Sequence, residues 1–185
     1  MKRIGAVILA AGASRRLGEP KQLVKIGAEN LLEHSVRVAR EAGFSPVVVV
    51  LGASAESIEA ECELGDADVL RNDNWCEGMS ASVRVGVGAL HDLDGCVVMT
   101  CDMPGVTALH LRSLAASGEV AGSTYDGRRG VPAYFPASLF KDLMELRGDA
   151  GAKDLLRSAQ CVALAGGELD VDTIEDLARA RKLFG

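Results

Sequence analysis

Three short apolar runs, Ile4 to Leu9, Val47 to Leu51 and Cys96 to Thr100, constrain this chain more than any other feature. A short run that is apolar at consecutive positions reads as a strand covered on both faces, as in a parallel sheet flanked by helices. Composition agrees: the chain is 48% hydrophobic but only 4% aromatic, with small and β-branched residues predominating. Such residues suit that packing.

The segments between the runs fit helices. Leu31 to Ala42 carries helical periodicity through Leu32, Val36 and Ala39, with Asn30 as N-cap and Gly43 past the end. Ser54 is expected to cap a short helix reaching about Cys62, and Ala67 to Arg71 reads as a further strand. Gly78 to Leu90 reads as a helix with Met79, Val83, Val87 and Leu90 on one face. Thr107 is expected to cap a helix to about Ser117, and strands at 119–125 and 131–135 are joined by an Asp126-Gly127 turn. Pro136 to Arg147 and Asp149 to Ser158 read as helices, Gln160 to Leu164 as a strand, and Thr173 to Phe184 as a closing helix. This order predicts an α/β fold: a three-layer, doubly wound, mostly parallel, Rossmann-like sheet with some antiparallel strands late in the chain. The length of 185 residues, with no repeat or linker, predicts one domain over residues 1–185.

Several function classes are disfavoured. The net charge of −6 argues against a general nucleic-acid binder. No apolar run nears the roughly 18 residues of a membrane span. Met1-Lys2-Arg3 and the apolar stretch to Ala13 superficially resemble a secretory leader, but they run straight into Ser14-Arg15-Arg16 and are read as a strand and loop. Five cysteines (Cys62, Cys76, Cys96, Cys101 and Cys161), an odd number without CxxC spacing, predict reduced cytoplasmic thiols rather than a disulfide frame or zinc site. Charge is unevenly spread. Lys2, Arg3, Arg15, Arg16, Lys21 and Lys25 face one acid, Glu19, in the first 27 residues, a local net of +5 that leaves −11 elsewhere.

Ligands of doubly wound sheets sit outside the carboxyl ends of the strands. After the first strand come Leu9, Ala10, Ala11, Gly12, Ala13, Ser14, Arg15 and Arg16, then Leu17-Gly18-Glu19-Pro20-Lys21. Small residues there let backbone N–H groups approach a phosphate, and Arg16 and Lys21 add positive charge. Neither GxGxxG nor GxxxxGK[ST] fits, and an ordinary βα turn with surface cations is the competing explanation. After the third strand, Gly78, Ser80 and Ser82 lie at a helix start, suited either to a base edge or ribose or to plain capping, and Trp75 is either a hydrophobic staple or a pocket wall. After the fourth, Asp102 precedes Met103-Pro104, placed to hold Mg²⁺ against phosphates or simply to make a turn. Near the end, Thr173 and Asp176 form a capping-box-like start to the last helix.

The first loop resembles the nucleotidyltransferase signature L-A-[AG]-G-x-S-x-R-M-G-x-x-K, with Leu17 where methionine is usual. Five later stretches are similar to the molybdenum cofactor cytidylyltransferase family. Gly78 to Ser82 matches its G-M-S-x-S. Cys101 to Pro104 matches G-D-x-P with cysteine for glycine, and Asp170 to Leu177 matches D-[IV]-D-T-P-E-D-L with Ile174 for proline. Gly127 to Phe135 and Gly148 to Leu156 match more loosely, with Val131 replacing a polar residue. The resemblance implies transfer of CMP from CTP to the phosphate of molybdopterin or its molybdenum form, with release of pyrophosphate. It implies Arg16, Lys21 and Asp102 as catalytic residues. It also implies Leu9, Ala10, Ala11, Gly12, Ser14, Arg15, Gly78, Ser80 and Ser82 around the nucleotide, and Mg²⁺ on Asp102 and Asp172. The implied partners are CTP or GTP, a pterin cofactor and a recipient molybdoenzyme, with no nucleic acid and no membrane. Ala11 favours CTP, since guanylyl members tend to carry glycine there. The alternatives are a GTP-dependent guanylyltransferase, a sugar-phosphate nucleotidyltransferase, a non-catalytic carrier of the pterin cofactor, and an oxidoreductase, the last without a dinucleotide fingerprint to support it.

Overall fold

The computed structural model describes residues 2–148 and 152–185. The three apolar runs lie side by side. Strand β1 (Ile4–Ala10) pairs in parallel with β4 (Val47–Leu51) on one edge and β6 (Gly95–Thr100) on the other. Ile8 is thereby flanked by Val49 and Met99. Beyond β4 lies β5 (Asp68–Arg71), also parallel. Beyond β6 lies β8 (Arg128–Pro136), antiparallel to both β6 and β7 (Ala121–Tyr125), and β9 (Gln160–Ala163) closes the sheet parallel to β7. The seven-stranded order is β5-β4-β1-β6-β8-β7-β9. The reversal expected late in the chain is confined to β8.

Alternate strand residues face opposite layers, as the period of two requires. Ala6, Ile8, Val49, Leu51, Val97 and Met99 face α1 (Leu31–Glu41), α2 (Ala55–Glu61) and α4 (Ala108–Ala115). Val7, Leu9, Val48, Val50 and Val98 face α3 (Met79–Gly88) and α5 (Phe140–Glu145). Gly86 permits the close approach of α3: a Cβ there would stand 2.3 Å from Val7 Cγ1. A third, smaller core joins Leu17 of the first loop, Val24, and Ile26 of β2 (Lys25–Ile26) to Val171, Leu177 and Ala180. The last two lie on α6 (Ile174–Phe184). Strand β2 pairs with β3 (Glu29–Asn30) in a hairpin not anticipated from sequence.

Expected caps at Asn30, Thr107 and Thr173 form, those of Asn30 and Thr173 as full capping boxes. Ser54 occupies its cap position in a left-handed conformation and makes no side-chain cap bond. The segment read as a helix from Pro136 is instead the end of β8, a 3-10 turn at Ala137–Leu139, then the short α5. Of the helix expected over Asp149 to Ser158, residues 149–151 lie outside the described residues and 152–158 form successive turns. Met79 does not join Val83, Val87 and Leu90 in the core; it is exposed and faces the cleft described next.

Candidate active site

The loop after β1 is tied down from within. The Leu17 and Gly18 N–H groups donate to the Ser14 carbonyl at 3.1 and 3.3 Å, making a tight turn, and Leu17 is buried in the third core. Leucine keeps the volume and apolar character of methionine at that anchor. Ser14 adopts a left-handed conformation (φ 48), and its Oγ accepts the Lys21 N–H at 3.0 Å. Gly12 points into open space: a Cβ there would meet nothing within 4 Å.

Lys21 extends to the carboxyl end of β6. Its Nζ donates to Asp102 Oδ2 at 2.7 Å and to Asp172 Oδ1 at 2.5 Å, while Arg16 Nη2 donates to Asp172 Oδ2 at 2.5 Å. The Val171 N–H donates to the Asp102 carbonyl at 2.9 Å, which joins the two acidic segments through backbone. Burial by itself lowers the Lys21 pKa, but the two carboxylates outweigh it and hold the ammonium charged far above neutrality. Burial pushes the other way on Asp172, where the Lys21 hydrogen bond and the Lys21 and Arg16 charges keep the carboxyl below its ordinary range. Asp170 is an exposed residue at the edge of this cluster. Its partly desolvated position, then the Asp102 and Asp172 charges, raise its pKa to about 6. Arg16 has 70% of its side chain exposed, so its ion pair is weak and the side chain is free to turn toward a bound anion.

Two lobes of one cleft meet at this cluster. The first, about 430 Å³, is lined by Leu9, Ala10, Ala11, Gly12 and Arg15 of the first loop, and by Trp75, Gly78, Met79 and Ser82 across from them. The second, about 450 Å³, is lined by Tyr125, Arg128, Arg129, Val131, Lys153 and Asp170 among others. Lys21, Met79, Thr100 and Asp102 belong to both walls. A smaller recess of about 160 Å³ continues past Gly12 to Ser14, Arg15, Arg16 and Asp172. Trp75 is thus a pocket wall. Gly78, at φ 109 and ψ 178, makes the sharp entry into α3 that a residue with a side chain would resist.

Ser80 departs from the expectation. It is completely buried, its hydroxyl has no partner, and it is not among the cleft-lining residues. Ser82 does line the cleft, and its hydroxyl accepts from Asn72 Nδ2 at 3.0 Å. Sequence reasoning missed Gln22, a buried side chain at the cleft floor, and Met79 as a cleft residue. Cys101 is buried and its thiol pKa is pushed up by desolvation, so it is inert as a nucleophile.

The carboxylates suit a hard divalent cation. Asp102 Oδ1 is buried without a partner, and Asp172 lies across Lys21 from it. No group of three or more His, Cys, Asp or Glu side chains positioned for a metal occurs among the described residues. One or two carboxylates with phosphate and water oxygens completing the shell is the usual arrangement for Mg²⁺.

Residues 6–164 match the MobA-like NTP transferase domain. The chain is 32% identical to the nicotine blue oxidoreductase of Paenarthrobacter nicotinovorans, over 95% of each chain. It is 30% identical to a probable molybdenum cofactor guanylyltransferase of Opitutus terrae, over 72% of this chain and 66% of that one. Among solved structures it resembles Rv0371c of Mycobacterium tuberculosis H37Rv, with a TM-score of 0.86 and 34% identity over 98% of both chains. A structure of Rv0371c in complex with manganese superposes with a TM-score of 0.83 at 32% identity, covering 98% of this chain and 99% of that one.

Proposed function

The chain belongs to the MobA-like NTP transferase family, and we propose that it transfers CMP from CTP to the phosphate of molybdopterin or its molybdenum form, releasing pyrophosphate. One observation carries this reading: a lobe floored by a phosphate-type loop and a second lobe bearing Arg128, Arg129 and Lys153 open onto the same Lys21 and Asp102. A donor triphosphate in the first lobe and an anionic acceptor in the second would meet there.

The chemistry needs positioning and charge neutralisation more than bond-making by the protein. An acceptor phosphate oxygen forms the new bond to the α-phosphorus as the α–β bridging bond breaks in line. Lys21 holds the α-phosphate, drawn there from its carboxylate partners. Arg15, Arg16 and the N–H groups around Gly12 hold the departing pyrophosphate in the recess beside Ser14. Asp102 and Asp172 would hold Mg²⁺, which would neutralise charge on the phosphates. The manganese complex of Rv0371c supports a divalent cation in this family.

The nucleobase choice rests on Ala11, buried in the wall of the donor lobe. Guanylyl transfer is the second reading, favoured by the Opitutus relative's name. Discrimination by one methyl group is worth about 1–3 kcal/mol. A matrix assay of CTP, GTP, ATP and UTP against molybdopterin, its molybdenum form and sugar phosphates, with Mg²⁺, reads pyrophosphate release. The highest kcat/KM is expected for CTP with a pterin acceptor. A GTP preference overturns the base assignment, and release only with sugar phosphates overturns the acceptor. Pterin binding without pyrophosphate release under any pairing supports a carrier instead. The name of the Paenarthrobacter relative adds one arm: turnover dependent on NAD(P)H, with no pyrophosphate release, would replace transfer by oxidoreduction.

A further inference from the structure

We propose that Gln22 is a positioning residue of the phosphate loop, its buried amide clamping two loop carbonyls so that the loop N–H groups and Lys21 are aimed at a bound triphosphate. The inference rests on the nucleotidyl-transfer reading above. Gln22 is 1% exposed. Its Nε2 donates to the Ala10 carbonyl at 2.6 Å and to the Gly12 carbonyl at 3.2 Å. In a trans peptide the carbonyl of one residue and the N–H of the next point in opposite directions. Drawing the Ala10 and Gly12 carbonyls toward the buried amide therefore turns the Ala11 and Ala13 N–H groups to the loop's other side. Between them the loop has room for a ligand, since a Cβ on Gly12 would have no neighbour within 4 Å. An anion there meets donors already aimed at it, with no reorganisation left to pay for.

The same clamp places Lys21. Gln22 is its chain neighbour, and the Lys21 N–H is held by Ser14 Oγ at 3.0 Å. Residues 21 and 22 thus contact the loop at Ala10, Gly12 and Ser14, which fixes where the Lys21 side chain starts toward the α-phosphate site. Gln22 Oε1 is buried without a partner. Burying an unpaired amide oxygen is unfavourable, so core filling alone does not account for a glutamine here, whereas its two donated hydrogen bonds do.

Equilibrium dialysis of the full chain with CTP, GTP and inorganic pyrophosphate, in Mg²⁺, tests this. Gln22→Leu keeps the bulk and removes the donors. It should weaken all three ligands by about tenfold or more. Gln22→Glu places a carboxylate against two carbonyls at alkaline pH, and on protonation regains one donor. Its affinity relative to the wild type at the same pH should recover at least about threefold between about pH 8 and about pH 5.5. A purely structural plug would show no such recovery. Binding by Gln22→Leu within about twofold of wild type, or a flat pH ratio for Gln22→Glu, overturns the proposal. If Gln22→Leu does not fold, the Gln22→Glu series decides alone. A wild-type chain that binds none of the three ligands overturns the nucleotidyl-transfer reading itself, and this inference with it.

Discussion

Lys21 is the residue on which the site turns, and its partners say how. It stands between Asp102 and Asp172, so under the proposed function a triphosphate would have to draw it away from at least one of them. Asp102→Ala frees Lys21 from one anchor and removes the buried, unpartnered oxygen suited to a cation. Turnover should fall at least about 100-fold, the scale of losing one preorganised electrostatic contact. Steady-state pyrophosphate release and a thermal melt with the fold retained check it, and near-normal turnover would remove the metal assignment. Glu29 is a separate case. Its hydrogen bond to the Arg37 guanidinium lowers its pKa from 4.5 to about 2, against the opposing effect of burial and with help from His34. A depressed carboxylate pKa stabilises the fold above the unfolded value, and that contribution disappears as pH falls through the folded one. Between about pH 4.5 and 2 the wild type should therefore lose melting temperature more steeply than Glu29→Gln. Residue-scale chemistry was unevenly legible. Lys21, Asp102 and Gly12 stand out because charge or missing side chain is visible in one dimension. Gln22 and Ser80 do not, since only burial distinguishes a cleft-floor amide or a core hydroxyl from a surface one.

Elements formed where local signals were strong. The capping box of α6 joins the Thr173 side chain to the Asp176 N–H at 3.2 Å, and Asp176 Oδ2 accepts the Thr173 N–H at 3.0 Å. Thr173→Ala should cost about 1 kcal/mol, measurable as a lower urea midpoint with an unchanged slope. Because α6 follows directly on Asp172, the same variant should also loosen that carboxylate and raise the nucleotide KM. Gly86→Ala puts a methyl group where Val7 already stands, at 2.3 Å, and should destabilise by about 1–3 kcal/mol on the same measurement. Strands with unbroken apolar runs and helices with Asn30 or Thr107 caps could be placed from sequence nearly to the residue. The β2–β3 hairpin could not, because two-residue strands carry no period. The break at Pro136 was missed because a proline opens a helix as readily as it ends an edge strand, and only pairing of Pro136 with Gly95 decides.

At the scale of the whole molecule, the proposed transfer depends on bringing together residues 151 positions apart, Lys21 and Asp172. The third core does this by packing α6 against Leu17 and Ile26. The two lobes then share one wall, so donor and acceptor are expected to meet without any large closure. With so few protein ligands, the cation should bind mainly with the nucleotide and contribute little to folding. Chelation with EDTA should abolish pyrophosphate release while leaving the melting temperature unchanged, and a large drop in melting would reveal a structural metal instead. The sequence by itself determined the layer architecture, because consecutive apolar residues have to be covered on both faces. It also marked the loop after β1 as a candidate phosphate site, because small residues followed by cations form a local pattern. Only the tertiary structure decided that Met79 faces the cleft and Ser80 the core, that Gln22 lies beneath the loop, and that Asp172 reaches Lys21. These are relations between distant segments, set by packing of α3, α6 and the hairpin, and no local periodicity encodes them.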